Sequence, residues 1–106
     1  MYNFIVNPKA GSGKGLRIWK AIARYMDSHN IEYEVFLTEG IGDARTAARR
    51  LTDSHDEPRY IIAVGGDGTM NEVLDGVSFH GPLSLGYIPA GSGNDLAGVF
   101  ACPDAP

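Results

Sequence analysis

The sequence predicts an α/β fold in which helices cover both faces of a parallel sheet. Four short apolar runs alternate with segments whose apolar residues recur at helical spacing. Such an alternation is typical of parallel strands joined by right-handed helical crossovers. The chain of 106 residues has the length of one domain and can bury one core. We therefore expect a single three-layer α/β/α domain.

Four segments are predicted to form the strands. The run from Tyr60 to Val64 is rich in β-branched residues and follows Pro58, which is typical of a fully buried parallel strand. A second run has apolar residues at alternate positions from Ile31 to Leu37. The predicted strands are Tyr2–Val6, Ile31–Leu37, Tyr60–Val64 and Pro82–Ile88.

Helical periodicity predicts the segments between the strands. In the first helix Trp19 is expected in the core, and Asn30 is a suitable C-terminal cap. Asp43 is expected to be the N-cap of the second helix. The predicted helices are Leu16–Asn30, Ala44–Leu51 and Thr69–Gly76, followed by a short helix around 96–100.

Three glycines surround one aspartate directly after the third strand. Gly65, Gly66 and Gly68 are expected to take positive φ and to let the backbone approach a ligand, because they carry no Cβ. A glycine turn that leads into a helix can bind phosphate, since free N–H groups and the positive end of the helix dipole point outward. Asp67 would repel a phosphate unless a metal ion or a hydroxyl donor lies between them, so it indicates a magnesium-linked nucleotide. An ordinary turn with a solvated carboxylate is the alternative.

Four loops with unusual composition should lie at one edge of the sheet, where the carboxyl ends of parallel strands meet. Ligands of open α/β sheets bind at that edge, where the strand order reverses. Much of the chain's glycine, 14 residues in all, is concentrated in such loops. The pattern therefore predicts a nucleotide or another phosphate ligand. The four loops are Asn7–Gly15, Thr38–Gly40, Gly65–Thr69 and Pro89–Asp95.

Charge and composition argue against several functions. The net charge of −4, from 9 basic and 13 acidic residues, disfavours general nucleic-acid binding. The single cysteine, Cys102, excludes an intramolecular disulfide and fits a reducing compartment. No apolar run approaches the roughly 18 residues that span a bilayer, and no signal sequence precedes the first strand. We therefore expect a cytoplasmic location.

Common phosphate-binding fingerprints do not fit the first loop. A Walker loop needs glycine at position 8 and Ser or Thr at position 15, where the chain has Pro8 and Gly15. The dinucleotide pattern needs a third glycine where Leu16 stands. Neither a His/Cys cluster for zinc nor a Gly-x-Ser-x-Gly elbow is present. Thr38 follows the second strand, where its hydroxyl could bind a phosphate or a ribose.

The chain carries three motifs in order, at Asn7–Gly11, Gly65–Val73 and Pro89–Ala97. Together they resemble the signatures of the diacylglycerol kinase catalytic domain family, which includes bacterial lipid kinases, sphingosine kinases and ceramide kinases. The resemblance covers nearly the whole chain. Gly-Gly-Asp-Gly alone is shared with NAD kinases and phosphofructokinases, but Asn71-Glu72 after the turn favours the lipid kinases.

The resemblance implies a Rossmann-like fold of the type found in the N-terminal domains of NAD kinases and diacylglycerol kinases. It also implies ATP- and Mg²⁺-dependent phosphoryl transfer to a lipid hydroxyl. The first motif and Thr38 would meet the nucleotide phosphates, and the second motif would form the main ATP loop. The implied nucleotide-binding residues are Asn7, Pro8, Lys9, Ala10, Gly11, Thr38, Gly65, Gly66, Asp67, Gly68, Thr69, Met70, Asn71, Glu72, Ser92, Asn94 and Asp95.

Asp67 is the candidate catalytic residue within this set. Asp67 and Asp95 would orient Mg²⁺ through water and would not ligate it directly, while Lys9 or Lys14 would offset phosphate charge. Asp67 is also a candidate general base, as proposed for sphingosine kinase relatives. We favour the metal-orienting role.

Members of this family are longer and carry a second, β-rich domain, to which the resemblance assigns the lipid cleft. We therefore interpret residues 1–106 as a truncated N-terminal nucleotide-binding domain that binds ATP weakly without turnover. The lipid alcohol would bind outside this chain, and the full-length protein would contact membranes peripherally. Apolar surface exposed by truncation favours a homodimer. The alternatives are an NAD kinase-like phosphotransferase and a non-catalytic nucleotide-binding module.

Overall fold

The computed structural model describes residues 1–53, 59–77 and 83–90. All four predicted strands and the first three predicted helices are confirmed, with small changes in their bounds. The short helix expected around 96–100 lies outside the described residues. In chain order the elements are β1 (Tyr2–Val6), α1 (Ala10–Ser28), β2 (Tyr33–Leu37), α2 (Asp43–Thr52), β3 (Arg59–Gly65), α3 (Asp67–Gly76) and β4 (Leu83–Pro89).

The four strands form one parallel sheet in the order β2-β1-β3-β4. In the central pairs Val6 lies opposite Leu37 of β2 and opposite Val64 of β3. The chain leaves β1 toward one edge of the sheet and later returns to place β3 and β4 on the other side. The order therefore reverses between β1 and β3, which is where ligands bind in open α/β sheets.

Helices cover both faces of this sheet, as predicted. On one face Ile18, Trp19 and Ile22 of α1 pack against alternate residues of β1 and β3, among them Phe4 and Val64. Trp19 is 7% exposed, which confirms its place in the core. On the other face α2 and α3 pack against the intervening residues. That second cluster comprises Ile5, Ala44, Ala47, Ala48, Ile61, Ala63 and Val73.

The first helix begins earlier than predicted. Ala10 opens α1, but Gly11, Ser12 and Gly13 have φ of 60°, 57° and 98°, so they form a left-handed turn before the regular helix. Helical periodicity could not detect this turn because it buries no regular apolar stripe. The predicted start at Leu16 is therefore too late.

The end of α1 is a Schellman motif, and it explains why β2 begins later than predicted. Asn30 has φ of 56°, which confirms it as the left-handed residue that ends the helix. The Asn30 and Ile31 amides donate to the carbonyl oxygens of Asp27 (3.2 Å) and Met26 (2.9 Å). Ile31 therefore belongs to the helix end, and β2 starts at Tyr33.

Candidate functional site

A cleft of about 330 Å³ lies at the carboxyl edge of the sheet. It brings together the loops that follow β1 and β2 and the first turns of α3, as predicted from the parallel alternation. Of the fourth predicted loop, only Pro89 and Ala90 are described. The lining residues are Asn7, Lys9, Thr38, Glu39, Gly40, Ile41, Ala44, Gly68, Thr69 and Glu72.

A larger hollow of about 610 Å³ lies along the second half of α1. Its lining runs from Trp19 to Ser28 and includes none of the predicted site residues. The smaller cleft is the better candidate, because it lies at the reversal of strand order and six predicted residues converge on it.

The loop after β1 is fixed to its neighbours by backbone contacts. The Asn7 amide donates to the Val64 carbonyl oxygen (2.8 Å), and the Asn7 side-chain oxygen accepts from the Lys9 amide (3.1 Å). Gly11 has positive φ, and a Cβ there would overlap the Ala90 carbonyl oxygen. This loop therefore packs against the ends of β3 and β4.

The first turn of α3 faces open space. Gly66 is the N-cap residue, and among the described residues no side-chain hydrogen bond caps the helix. A Cβ at Gly66 or at Gly68 would meet no heavy atom of the described structure within 4 Å. Because the first N–H groups of a helix have no intrahelical acceptor, this turn can donate to an anion in that space.

The predicted positive φ at Gly65, Gly66 and Gly68 is wrong. Gly66 is extended, with φ of −88° and ψ of −173°, and no described glycine of this turn has positive φ. Gly65 is required for space instead, because a Cβ there would lie 2.6 Å from Thr69 Oγ1 and 3.2 Å from Asn7 Cβ. The glycines therefore permit close packing and an open approach; they do not serve an unusual torsion.

The loop between β2 and α2 is held by a carboxylate from its own helix. Asp43 Oδ2 accepts from the Glu39 amide (2.7 Å) and from the Gly40 amide (3.0 Å). The predicted role of Asp43 as the N-cap is wrong, since Gly42, with φ of 92°, is the N-cap and Asp43 is the first helical residue. Its carboxylate binds backward to the loop and still lies in the first turn, where the helix dipole favours negative charge.

A second carboxylate holds the same loop from α3. Both oxygens of Glu72 accept from the Gly42 amide, each at 3.1 Å. Glu72 lines the cleft, but it acts here as a link between α3 and the start of α2. Its predicted contact with a nucleotide stays a prediction.

Asp67 lies at the start of α3 and is exposed, outside the lining of the cleft. Its Oδ1 accepts from the Tyr87 hydroxyl of β4 (3.3 Å). Partial burial, followed by the nearby Asp67 charge and this hydrogen bond, raises the pKa of Tyr87 above its usual value of 10.0. The phenol therefore remains a donor to Asp67 at neutral pH.

The other predicted site residues are distributed differently. Met70 packs against the core between the sheet and α2–α3, whereas Asn71 is exposed. Pro8 lies in the loop after β1 and Ala10 is the first residue of α1, and both are half-buried. Ser92, Asn94 and Asp95 lie outside the described residues.

Within residues 1–53, 59–77 and 83–90, no three His, Cys, Asp or Glu side chains lie close enough together to hold a metal ion. No helix in those ranges combines the length and the apolar character needed to cross a bilayer.

The sequence reasoning missed three features of the site. Ile41 and Ala44 line the cleft, and Tyr87 contacts Asp67 from β4. A signal for Ile41 was present, because an isolated apolar residue between Gly40 and Gly42 has no place in a buried stripe. No local pattern marks Tyr87, whose partner lies 20 residues away in the chain.

Comparison with known proteins identifies relatives of this architecture. The model of the diacylglycerol kinase catalytic domain matches residues 1–106. A provisionally named lipid kinase of Bacillus subtilis is 38% identical over 99 residues, covering 92% of this chain and 32% of the relative. A diacylglycerol kinase of Staphylococcus saprophyticus is 37% identical over 101 residues, covering 93% and 32%.

A solved structure supports the same relationship. The crystal structure of a diacylglycerol kinase from Bacillus anthracis superposes with a TM-score of 0.65 at 28% identity, covering 98% of this chain and 38% of that one. The chain thus spans about a third of the length of the relatives that it matches. Fold, motif order and similarity agree, and the chain belongs to the diacylglycerol kinase catalytic domain family.

Proposed function

We propose that the cleft binds the phosphates of Mg²⁺-ATP and forms the nucleotide half of a lipid kinase site. The observation that carries this proposal is the first turn of α3, which no described side chain caps and which opens beside Gly66 and Gly68 onto space that no described residue fills. This turn lies where the strand order reverses. Backbone N–H groups at such a helix start bind phosphate through both hydrogen bonds and the helix dipole.

Side chains around this turn fit an anionic ligand. Lys9 lines the cleft and is exposed, so its ammonium group can offset phosphate charge. Thr38 lies at the end of β2, where its backbone is fixed by donation from its amide to the Val6 carbonyl oxygen (2.8 Å). Its hydroxyl would bind a phosphate or ribose oxygen from this fixed position.

The residues present also fit a magnesium ion held mainly by water and phosphate. Mg²⁺ commonly keeps several waters and takes only one or two carboxylates from a protein, and Asp67 supplies one exposed carboxylate beside the helix start. When bound, the ion would neutralise charge that develops on the phosphates during transfer. Asp67 would orient the hydrated ion, and Tyr87 would fix the direction of Asp67 through its hydrogen bond.

The acceptor is proposed to be a lipid hydroxyl. The supporting observation is the similarity to proteins named diacylglycerol kinase or lipid kinase. Since the chain spans about a third of those relatives, transfer to lipid is proposed for the whole protein. Residues 1–106 alone are expected to bind nucleotide without phosphorylating lipid.

Isothermal titration calorimetry with ATP, in the presence and absence of Mg²⁺, tests this function. The parent chain should bind Mg²⁺-ATP, and Asp67→Asn should lose most of the gain in affinity that Mg²⁺ provides. Asp75→Asn is the matched control, because it removes the same charge from α3 at an exposed position where the carboxylate pairs with Arg45, at 3.5 Å. Equal behaviour of the two variants, or no binding by the parent at millimolar ATP, would refute the proposed site.

A further inference from the structure

β2 forms an open edge of the sheet. Among the described residues it pairs with β1 alone, so one side of the strand has no neighbouring strand. The Thr38 amide donates inward to the Val6 carbonyl oxygen (2.8 Å). Because backbone groups along a strand alternate between its two sides, the amides of Val35 and Leu37 point outward from the sheet. The edge therefore presents donors and acceptors with which an added strand can pair.

The composition of this edge does not block such pairing. Proteins usually protect an open edge with lysine, proline or a bulge. β2 contains neither lysine nor proline, and its register with β1 is continuous along the strand. Instead, Val35, Phe36 and Leu37 are consecutive large apolar residues that are 40%, 38% and 45% exposed. A run of exposed apolar residues on an unprotected edge is typical of a binding surface.

The two faces of the sheet differ in chemistry at this edge. Val35 and Leu37 continue the row of β1 residues that packs against α1. Glu34 and Phe36 point to the opposite face, and both are exposed. A strand added to β2 would therefore meet apolar side chains on one face, and a carboxylate beside an aromatic ring on the other.

The charge around the edge is of one sign. No lysine or arginine occurs between Arg24 and Arg45, whereas five acidic residues do. Asp27 accepts from the Tyr33 hydroxyl (3.1 Å), and Asp43 accepts from two amides of the loop after β2. The other three acidic residues are exposed, and they are Glu32, Glu34 and Glu39. Two copies of the chain joined through β2 would bring these carboxylates together, so charge complementarity favours a basic occupant.

We propose that the edge of β2 binds an extended segment of a partner protein in which apolar and basic residues alternate. Such a segment adds a strand to the sheet, and its successive side chains point to opposite faces. Its apolar side chains cover Val35 and Leu37. Its lysine or arginine side chains pair with Glu34, while their aliphatic stems pack on Phe36. β2 lies outside the lining of the nucleotide cleft, so the inference does not depend on the proposed function.

A heptapeptide that alternates lysine and valine, titrated calorimetrically at low salt, is the first probe. The chain should bind this peptide, and the affinity should fall as salt is raised. Glu34→Lys should weaken binding about tenfold, because a cross-strand attraction becomes a repulsion of similar size. Asp75→Lys is the matched control, since it reverses the same charge at an exposed position on α3 and should change the affinity less than about twofold.

Backbone pairing is tested separately from charge. The same peptide with methylated backbone amides keeps its charges but cannot donate to the edge, so it should bind at least about tenfold more weakly. Hydrogen exchange followed by NMR locates the contact. The bound peptide should slow exchange at the Val35 and Leu37 amides and leave the Phe36 amide, which faces β1, unchanged. Val35→Pro removes one outward donor at an edge position that tolerates proline, and it should also weaken binding once circular dichroism has confirmed its fold.

The remaining outcomes overturn the inference. Equal affinity for the two peptides, or equal effects of Glu34→Lys and Asp75→Lys, would indicate general attraction of a basic peptide to an acidic chain. Protection of the Val35 and Leu37 amides in the chain alone, increasing with protein concentration, would assign the edge to a second copy. Absence of binding at millimolar peptide would refute the proposed partner chemistry.

Discussion

Two adjacent glycines offer a direct test of why the turn before α3 has its composition. Gly65→Ala would place a Cβ 2.6 Å from Thr69 Oγ1, 2.9 Å from Thr69 Cβ and 3.2 Å from Asn7 Cβ. Gly66→Ala would place the same atom where no heavy atom of the described residues lies within 4 Å, on a backbone with φ of −88° that alanine readily adopts. The same substitution should therefore destabilise the fold much more at position 65 than at position 66.

The expected magnitudes follow from these contacts. Overpacking a buried site typically costs about 1–3 kcal/mol, so Gly65→Ala should lower the free energy of unfolding by that amount. For a domain of this size that corresponds to a fall in Tm of about 4–8 °C per kcal/mol. Gly66→Ala should change the free energy of unfolding by less than about 1 kcal/mol, because the restriction of the unfolded chain is offset by the preference of an N-cap position for glycine over alanine. Its methyl group would nevertheless occupy the space proposed for phosphate, so ATP affinity should fall.

Urea and thermal unfolding followed by circular dichroism would measure both variants, and calorimetry would measure ATP binding by Gly66→Ala. A double-mutant cycle with Thr69→Gly tests the cause, because removal of the Thr69 side chain should recover much of the loss at Gly65. Strictly additive effects of Gly65→Ala and Thr69→Gly would show that the clash is not responsible. Equal destabilisation by the two alanines would refute the distinction between a packed and an open glycine.

Three further variants test the contacts around the site. Glu72→Gln replaces a charge-assisted hydrogen bond to the Gly42 amide by a neutral one. It should lower the free energy of unfolding in urea by about 1 kcal/mol and speed hydrogen exchange at that amide. Unchanged exchange would contradict the proposed link between α3 and the start of α2. Because the pKa of Tyr87 is raised in the folded state, its contribution to stability is complete below pH 10 and is lost as pH rises through the folded pKa. Tyr87→Phe should therefore flatten the alkaline decline of the unfolding free energy, and an unaltered pH profile would contradict this. Gly76→Ala should destabilise by about 1–3 kcal/mol, since its Cβ would overlap a backbone carbonyl of α2, and a Tm equal to that of the parent would rule the overlap out.

Apolar periodicity sufficed to predict which segments are strands and helices, because each element buries a regular stripe or run. Val64 and Trp19, for example, lie in the core as expected. The bounds were less predictable where a residue makes a local backbone contact. Ile31 fits the alternation of β2, yet its amide completes the end of α1, and only the three-dimensional path of the chain decides between the two.

The glycines show a different limit. A glycine can permit an unusual backbone torsion, a close contact or an open approach for a ligand, and the sequence alone does not distinguish these roles. Gly11 has the positive φ and the close contact, Gly65 has the contact alone, and Gly66 has neither. Sequence reasoning therefore placed the glycine turn correctly at the carboxyl edge of the sheet, but of the two reasons it gave for the glycines, positive φ and a backbone free of Cβ, the first was wrong.

The two carboxylates that hold the loop after β2 explain why the site itself was only partly predictable. Glu72 stands inside a motif that resembles a nucleotide-binding signature, which made direct ligand contact the natural prediction. In the fold, its partner is the amide of Gly42, 30 residues earlier, and Asp43 holds the other side of the same loop. A motif residue can thus shape a ligand site by fixing a separate segment.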